Sequence, residues 1–353
     1  MLHVRQRTRQ KFSEACRPLL GTRVDGWLGT TIDLVALVAL LAGTATTFSV
    51  ATPLMTSALA SLFNFNDSIL LTIVILAFIA VIYILTVLFG YRGISFMSKI
   101  CIYLFSFLLL FVFLFGGQTL YLVETGVESI GQLAQNLIVL STTTDPLRVD
   151  TFPQNWTIFY WAYWMSWCVA TPYFIGVISQ GRTIRQMILG GYFWGLLGTF
   201  TSFIVLGGFG MSQQILGTID AFNSSILDLN PAMFAIELLR QLPLSSFVIG
   251  LLFMILALFY STTFDSITVV IATYSHKTLE PGKEPNKLLK VFWAVMFILF
   301  PISLIFSESS LENLQTVSII TAFPIGITFI VISLSLWIDA SSHLKKYTEK
   351  AQG

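Results

Sequence analysis

The chain has 353 residues, of which 55% are hydrophobic and only 10% carry a charge. A soluble domain has roughly a quarter charged residues, so this composition predicts an all-α integral membrane protein in a lipid bilayer. A net charge of +1 gives no basic surface for a nucleic-acid partner, and three scattered Cys and three His favour neither a disulfide framework nor a metal cofactor.

Apolar runs along the chain predict about eight transmembrane helices, because about 20 helical residues cross the hydrocarbon core. The predicted spans are 29–52, 69–90, 94–115, 156–178, 187–210, 246–274, 290–307 and 314–338. Two longer connectors, 116–155 and 211–245, contain SIGQLAQNLIVL and PAMFAIELLRQL, whose apolar residues recur at helical spacing. These two segments are predicted to form short helices at the membrane interface.

The positions of the basic residues predict the orientation of the spans. All but two of the 19 Lys and Arg lie on one side of an eight-span topology, and the exceptions are Arg148 and Arg240. Lys and Arg concentrate in cytoplasmic segments, so both termini are predicted to be cytoplasmic. The predicted organisation is a basic cytoplasmic segment at 1–28, a transmembrane domain at 29–338 and a cytoplasmic tail at 339–353.

The fourth span begins with an unusual density of aromatic residues, in the stretch WTIFYWAYWMSW. Trp156, Tyr160, Trp164 and Trp167 are spaced by four, four and three residues, which predicts that they share one face of a helix. Rings near the outer interface, including Trp161, are typical of an aromatic belt. The deeper rings have two interpretations: helix packing, or a cage for a quaternary ammonium ion, which ring faces attract by up to about 2 kcal/mol each.

The aromatic stretch together with ISQGRTIRQ resembles the signature of the betaine/choline/carnitine transporter (BCCT) family. Four further segments resemble family segments and occur in the family order: IDLVALVALLAGTAT, NLIVLSTTTDP, FYSTTFDS and LQTVSIITAFP. The resemblance therefore extends over nearly the whole chain. It implies the LeuT-type fold, in which ten of twelve membrane helices form two inverted five-helix repeats.

The eight predicted spans resemble the last eight helices of that fold. The resemblance implies that 29–115 is the end of the first repeat, 116–155 an interfacial connector and 156–338 the second repeat. The four N-terminal helices of the family are expected to be absent. It further implies a multi-pass protein of the bacterial inner membrane and a possible homotrimer.

The family's functional residues transfer onto this sequence by motif. Tyr163, Trp164 and Trp167, with Tyr160 beside them, correspond to the aromatic cage for the substrate. Phe259, Thr262 and Thr263 correspond to a sodium site built from a backbone carbonyl and two hydroxyls, although threonines in membrane helices often hydrogen-bond to their own backbone instead.

Three charged residues and one proline have two readings each. Asp265 is interpreted as functional or as a buried structural partner, because a carboxylate within a span is costly. Arg182 and Arg185 match the family's arginine loop, where they would bridge helix ends during gating, or they simply set orientation. Pro172 predicts a bend, which serves either a cavity or packing.

These expectations converge on a secondary transporter for a trimethylammonium solute such as glycine betaine, choline or carnitine, with sodium as the coupling ion. The alternative is a non-transporting relic, or half of a split carrier that needs a separate N-terminal chain. An enzyme is disfavoured, since the spans contain no clustered His or Cys and no paired carboxylates.

Overall fold

The computed structural model describes residues 9–65, 68–89, 91–149, 152–179, 181–219, 231–279, 283–306 and 311–352. Within these ranges the chain is almost entirely helical and contains no strand, which confirms the all-α prediction. The helices are α1 (Trp27–Phe63), α2 (Ile69–Phe89), α3 (Tyr91–Phe115), α4 (Thr119–Thr142), α5 (Phe159–Trp167), α6 (Thr171–Ile178), α7 (Ile184–Ser202), α8 (Gly208–Ile215), α9 (Pro231–Arg240), α10 (Ser245–Tyr274), α11 (Lys287–Phe306) and α12 (Leu311–Gln352). The wider turns Pro153–Ile158 and Phe203–Gly207 lead into α5 and join α7 to α8.

Five helical stretches of the described residues are long and apolar enough to cross a membrane. They are Trp27–Phe63, Ser95–Phe115, Ile184–Ile215, Ser245–Tyr274 and Ser318–Lys345, and the apolar stretch Leu70–Thr86 is shorter. Helix α11 coincides with the predicted span 290–307, whose last residue lies outside the described ranges. The predicted interfacial segments both contain helices, α4 and α9.

Two helices extend far beyond the C-terminal boundaries of their predicted spans. Helix α1 continues past residue 52 to Phe63 and passes through Pro53. Helix α12 continues past residue 338 to Gln352, so the predicted tail is helical. A proline removes one backbone hydrogen bond, and membrane helices tolerate that loss where neighbouring groups satisfy the freed carbonyl.

The predicted span 156–178 does not form one continuous helix. The chain unwinds at residues 168–170, which separates α5 from α6. Pro172 stands in the first turn of α6 and has no backbone N–H to continue the hydrogen-bond series. Within the break, the carbonyl oxygen of Val169 accepts a 3.0 Å hydrogen bond from the Tyr274 hydroxyl. The proline thus accounts for the interruption, and Tyr274 provides a partner for one carbonyl oxygen that the interruption leaves outside a regular helix.

The chain divides into two compact units. The first contains Met1–Phe48, Thr144–Gln180 and Phe264–Gly353, and the second contains Ser49–Thr143 and Gly181–Thr263. In the first unit, Phe48 stacks on Phe264 with ring centroids 4.3 Å apart. The second unit has an apolar core of Ala58, Leu108, Leu109, Phe111, Val112, Leu122, Val205, Phe209, Ile236, Leu239, Leu242, Val248, Ile249, Leu251 and Ile255.

Residues 9–25, which we call the N-terminal cap, pack as short helical turns before α1. Phe12, Ser13 and Cys16 are buried, and the Ser335 hydroxyl of α12 donates to the Cys16 carbonyl oxygen at 3.2 Å. The Phe12 ring also meets Phe329 of α12 edge-on. The sequence predicted only a basic cytoplasmic segment at 1–28, of which residues 1–8 lie outside the described ranges.

Charged residues hold the N-terminal cap together. Arg17 binds Glu14 at 2.5 Å and Asp25 at 2.7 Å, and Arg9 also pairs with Asp25. Asp33 of α1 accepts hydrogen bonds from the backbone and hydroxyl of Ser13 at 2.8 and 3.0 Å. These contacts fix the cap on the first turns of α1.

Candidate functional site

The aromatic residues of α5 and the turn before it form a continuous series of ring contacts. Trp156 stacks on Tyr160 at 5.8 Å, Tyr160 meets Tyr163 edge-on at 6.3 Å, and Tyr163 meets Trp167 edge-on at 6.0 Å. Each contact joins residues three or four positions apart, as expected for one helical face. The series passes through Tyr163, whereas the spacing argument placed Trp164 in it.

Helix α1 positions the last two rings of this series, Tyr163 and Trp167. The hydroxyl oxygens of Thr47 and Tyr163 lie 2.7 Å apart in a hydrogen bond. One turn earlier on α1, a Cβ atom added at Gly43 would lie 3.4 Å from the indole nitrogen of Trp167. Gly43 and Thr47 therefore form one face that holds Tyr163 and Trp167, and the glycine permits the close approach.

Helix α12 packs on another side of α5. A Cβ atom added at Gly326 would lie 3.4 Å from the sulfur of Met165, so a second glycine brings the two helices together. The Thr46 and Ser318 hydroxyls lie 3.1 Å apart and join α1 to α12. The aromatic helix thus has neighbours that fix its position within the first unit.

The predicted cage residues differ in exposure. Tyr163 and Trp167 are half-buried, whereas Trp164 is 60% exposed and Tyr160 is 42% exposed. The Trp164 ring lies 6.1 Å from the ring of Tyr163, so all four predicted residues are neighbours. Together they present several electron-rich ring surfaces, which is the chemistry that attracts a weakly hydrated cation.

The predicted sodium-site residues lie on α10 and belong to the second unit. The Thr262 hydroxyl donates to the Phe259 carbonyl oxygen at 3.2 Å, so two of the predicted oxygen ligands are adjacent. This contact is also the backbone hydrogen bond that threonines commonly make in membrane helices. Thr263 is half-buried, and the Phe259 ring packs edge-on against Phe105.

The three remaining predicted residues lie in different surroundings. Asp265 is fully buried on α10, in its part that belongs to the first unit. Arg182 and Arg185 are exposed where α7 begins, and that helix starts with a capping box of Thr183 and Gln186. The described residues contain no group of three or more His, Cys, Asp or Glu placed to hold a metal ion.

Sequence reasoning missed the residues that position the aromatic helix: Gly43, Thr47, Gly326 and Tyr274. A partial signal was available, because Gly43 and Thr47 are four residues apart in a helix and must share a face. Which helix would meet that face depends on tertiary packing, and nothing in the spacing identifies it.

The chain was compared with known families and proteins. The family described as "betaine/carnitine/choline family transporter" matches residues 1–345. The chain is 29% identical to the glycine betaine transporter OpuD of Bacillus subtilis over 95% of its own length. It is 26% identical to a carnitine transporter of Acinetobacter baumannii over 94%, and 26% identical to the osmo-dependent choline transporter BetT2 of Acinetobacter baylyi over 92%.

The matches cover 64%, 60% and 47% of the lengths of these three relatives, respectively. The family match covers nearly the whole chain and agrees with the segment order seen in the sequence, which confirms the resemblance. Members of this family are transporters rather than enzymes. The chain therefore belongs to BCCT, the betaine/carnitine/choline transporter family.

Proposed function

We propose that this chain supplies the solute-binding helices of a secondary transporter for a quaternary-ammonium solute of the betaine, carnitine or choline type. The observation that carries the proposal is the ring series of α5, in which Thr47 holds Tyr163 and Gly43 admits Trp167. The relatives' names support the solute class, since OpuD is a glycine betaine transporter and BetT2 a choline transporter.

The cage would consist of Tyr160, Tyr163, Trp164 and Trp167. A trimethylammonium group spreads its charge over methyl groups, keeps little hydration and needs no carboxylate partner, so ring faces suit it. The two half-buried rings, Tyr163 and Trp167, already have fixed neighbours on α1. Fixed rings lose little conformational freedom when a solute binds, which favours affinity.

Transport would be coupled to sodium through Phe259, Thr262 and Thr263. The Phe259 carbonyl oxygen and the Thr262 hydroxyl are 3.2 Å apart, close enough to contribute two neighbouring oxygen ligands to one hard cation. We place both termini in the cytoplasm of a bacterial inner membrane, because nearly all Lys and Arg then lie inside. Arg182 and Arg185 would then lie on the cytoplasmic side.

The test is solute uptake into proteoliposomes with a sodium gradient. The chain is assayed by itself and joined to a family-type N-terminal four-helix segment, because repeat-built carriers place the site between two complete repeats. We expect saturable uptake from the joined form only. Robust saturable uptake by the 353-residue chain alone would mean that its own helices suffice.

Substitutions in the joined form then test the cage. Trp164→Ala and Trp167→Ala are expected to raise the KM for the solute about 10- to 30-fold, which corresponds to about 2 kcal/mol. Trp167→Phe keeps a ring and should lose less. Trp161→Ala, also exposed on α5, is the matched control. An unchanged KM in both Trp164→Ala and Trp167→Ala would remove the cage.

A further inference from the structure

A second pocket, separate from the aromatic series, lies within the second unit between the C-terminal end of α1 and helix α9. Its volume is about 500 Å³, and its lining includes Ser57 and Ser61 of α1, Glu237 and Arg240 of α9, and Phe65 just after α1. Pockets for small organic ligands range over roughly 300–1,000 Å³. The size suits a compact solute.

Helix α9 presents opposite charges to this pocket. The Arg240 guanidinium donates to Glu237 at 2.6 Å and to the Ser61 hydroxyl at 2.9 Å. Both charged side chains stay partly exposed, at 44% and 34%. Ile236, which also lines the pocket, and Leu239 are buried in the apolar core and hold α9 in place. A ligand in the pocket therefore meets one cation and one anion on a fixed element.

The end of α1 adds an aromatic ring to the lining of the pocket. Asn64 adopts a left-handed conformation with φ 54°, and the Phe65 backbone N–H donates to the Ala60 carbonyl oxygen at 3.0 Å, which closes the helix. The Phe65 ring stacks on Phe63 and remains 58% exposed. Helix C-termini and ring faces both attract cations, so this side of the pocket suits an ammonium group.

We propose that this pocket is an entrance site for zwitterionic solutes that carry both a carboxylate and a quaternary ammonium group. The solute carboxylate takes the place of Glu237 on the Arg240 guanidinium, which can hold a carboxylate through two parallel hydrogen bonds. The ammonium group then lies between the released Glu237 carboxylate and the Phe65 ring. One internal ion pair is exchanged for two ion pairs with the solute.

The proposal rests on the proposed function for the solute class and for the side of the membrane. Residues 53–68 and 211–245 are both external in that topology. The topology therefore places both elements of the pocket on the same side of the membrane, and this placement does not depend on the contact between them. Arg240 is one of only two basic residues placed there. The site would select carboxylate-bearing solutes such as betaine and carnitine over choline, which has no carboxylate.

The experiment measures binding to the 353-residue chain in nanodiscs by saturation-transfer NMR, so that it does not depend on transport. A Trp164→Ala, Trp167→Ala background removes the aromatic site. In that background we expect glycine betaine to bind, Arg240→Gln to weaken its binding at least tenfold, and Arg240→Lys to keep part of it. Arg148→Gln, the other external arginine, is the matched control and should leave binding unchanged.

Two probes that each carry only one of the two charged groups test the roles of Arg240 and Glu237 separately. They also distinguish the loss of a contact from misfolding of the variant. Arg240→Gln should weaken binding of trimethylacetate, which has the carboxylate alone, and strengthen binding of tetramethylammonium. Glu237→Gln should do the opposite, and effects in opposite directions cannot come from unfolding. The proposal is overturned if the background binds no betaine, if Arg240→Gln leaves betaine binding intact, or if tetramethylammonium binds as tightly as betaine. Each of these results leaves the uptake test of the aromatic site unaffected.

Discussion

The hydroxyl oxygens of Tyr163 and Thr47 lie 2.7 Å apart, and this hydrogen bond joins α5 to α1 beside the ring of Trp167. It fixes a tyrosine that belongs to the aromatic series but comes from a helix of only nine residues. A helix this short has little stability of its own and depends on such tertiary contacts.

The first prediction concerns this bond. Thr47→Val and Tyr163→Phe should each lower the free energy of unfolding, and together they should lower it by less than the sum, with a coupling of about 0.5–1.5 kcal/mol. Thr47→Ser keeps the hydroxyl and is the control. The measurement is chemical unfolding in mixed micelles. Strictly additive losses would mean that the two hydroxyls do not stabilise each other.

The second prediction concerns the contact between the N-terminal cap and α1. A methyl group at Gly29 would overlap the carbonyl oxygen of Val24 and would come within 2.8 Å of its carbonyl carbon. Because backbone atoms cannot rotate away, Gly29→Ala should displace the cap. At Gly26 the nearest atom is 3.7 Å from the added carbon, so Gly26→Ala is the matched control.

Cys16 provides the readout for that displacement. It is fully buried. Burial, as the larger cause, and the nearby Asp33 charge raise the pKa of the Cys16 thiol to about 11. The reactive thiolate is therefore scarce at neutral pH. In a Cys101→Ser, Cys168→Ser background, Gly29→Ala should increase maleimide labelling of Cys16 at least tenfold. Equal labelling of the two glycine variants would contradict the steric argument.

The third prediction is a pH dependence of the N-terminal cap. Hydrogen bonding by Arg17 holds the pKa of the Asp25 carboxyl below its ordinary value. A depressed carboxyl pKa contributes stability that is present above the ordinary value, near pH 4, and is lost as the pH falls through the lowered one. Hydrogen exchange of residues 9–25, corrected for intrinsic rates, should therefore rise on acidification below about pH 4.

Asp25→Asn removes the titrating group and should flatten this pH response. Glu128→Gln, at an exposed position on α4, is the control and should leave the response as it is. If Asp25→Asn follows the same pH curve as the unsubstituted chain, the Arg17–Asp25 pair has no part in holding the cap.

The fourth prediction concerns sodium. In the form joined to the four-helix segment, Thr263→Ala should raise the sodium concentration needed for half-maximal uptake about tenfold, since the proposed sodium site would lose one oxygen ligand. Thr263→Ser keeps the hydroxyl and should stay near the original value. The measurement is initial uptake across a range of sodium concentrations. The same sodium dependence in all three forms would rule out a role for Thr263.

Apolar runs predicted most of the helices, and aromatic spacing predicted that Tyr160, Trp164 and Trp167 would be neighbours. Tyr163 was identified through the family resemblance alone. The break before Pro172 was only partly predictable. The proline implies a bend, but the hydrogen bond that the unwound residue Val169 accepts comes from Tyr274, which is far away in sequence. The hydropathy of residues 156–178 is that of an uninterrupted apolar run, whether or not the helix breaks.

The N-terminal cap escaped prediction for a different reason. Gln10 and Glu14 are 2% and 4% exposed, although polar residues in a basic terminal segment usually lie in solvent. Their burial depends on partners from elsewhere in the chain, such as the Tyr173 hydroxyl that donates to Gln10 at 2.6 Å. Such pairings arise only in the folded structure and leave no periodic pattern.

Helix α12 touches the aromatic helix and the N-terminal cap at different heights. Ser318 meets α1 beside the ring series, and Ser335 reaches the Cys16 carbonyl in the cap. The 17 helical steps from Ser318 to Ser335 extend about 25 Å, which approaches the thickness of the hydrocarbon core. Because α12 is held at both points, a tilt of the part near Ser318 on solute binding would require the cap either to move with the helix or to lose its hydrogen bond from Ser335. Spin labels near Ser335 would then report whether a solute bound at the proposed aromatic site moves the cap.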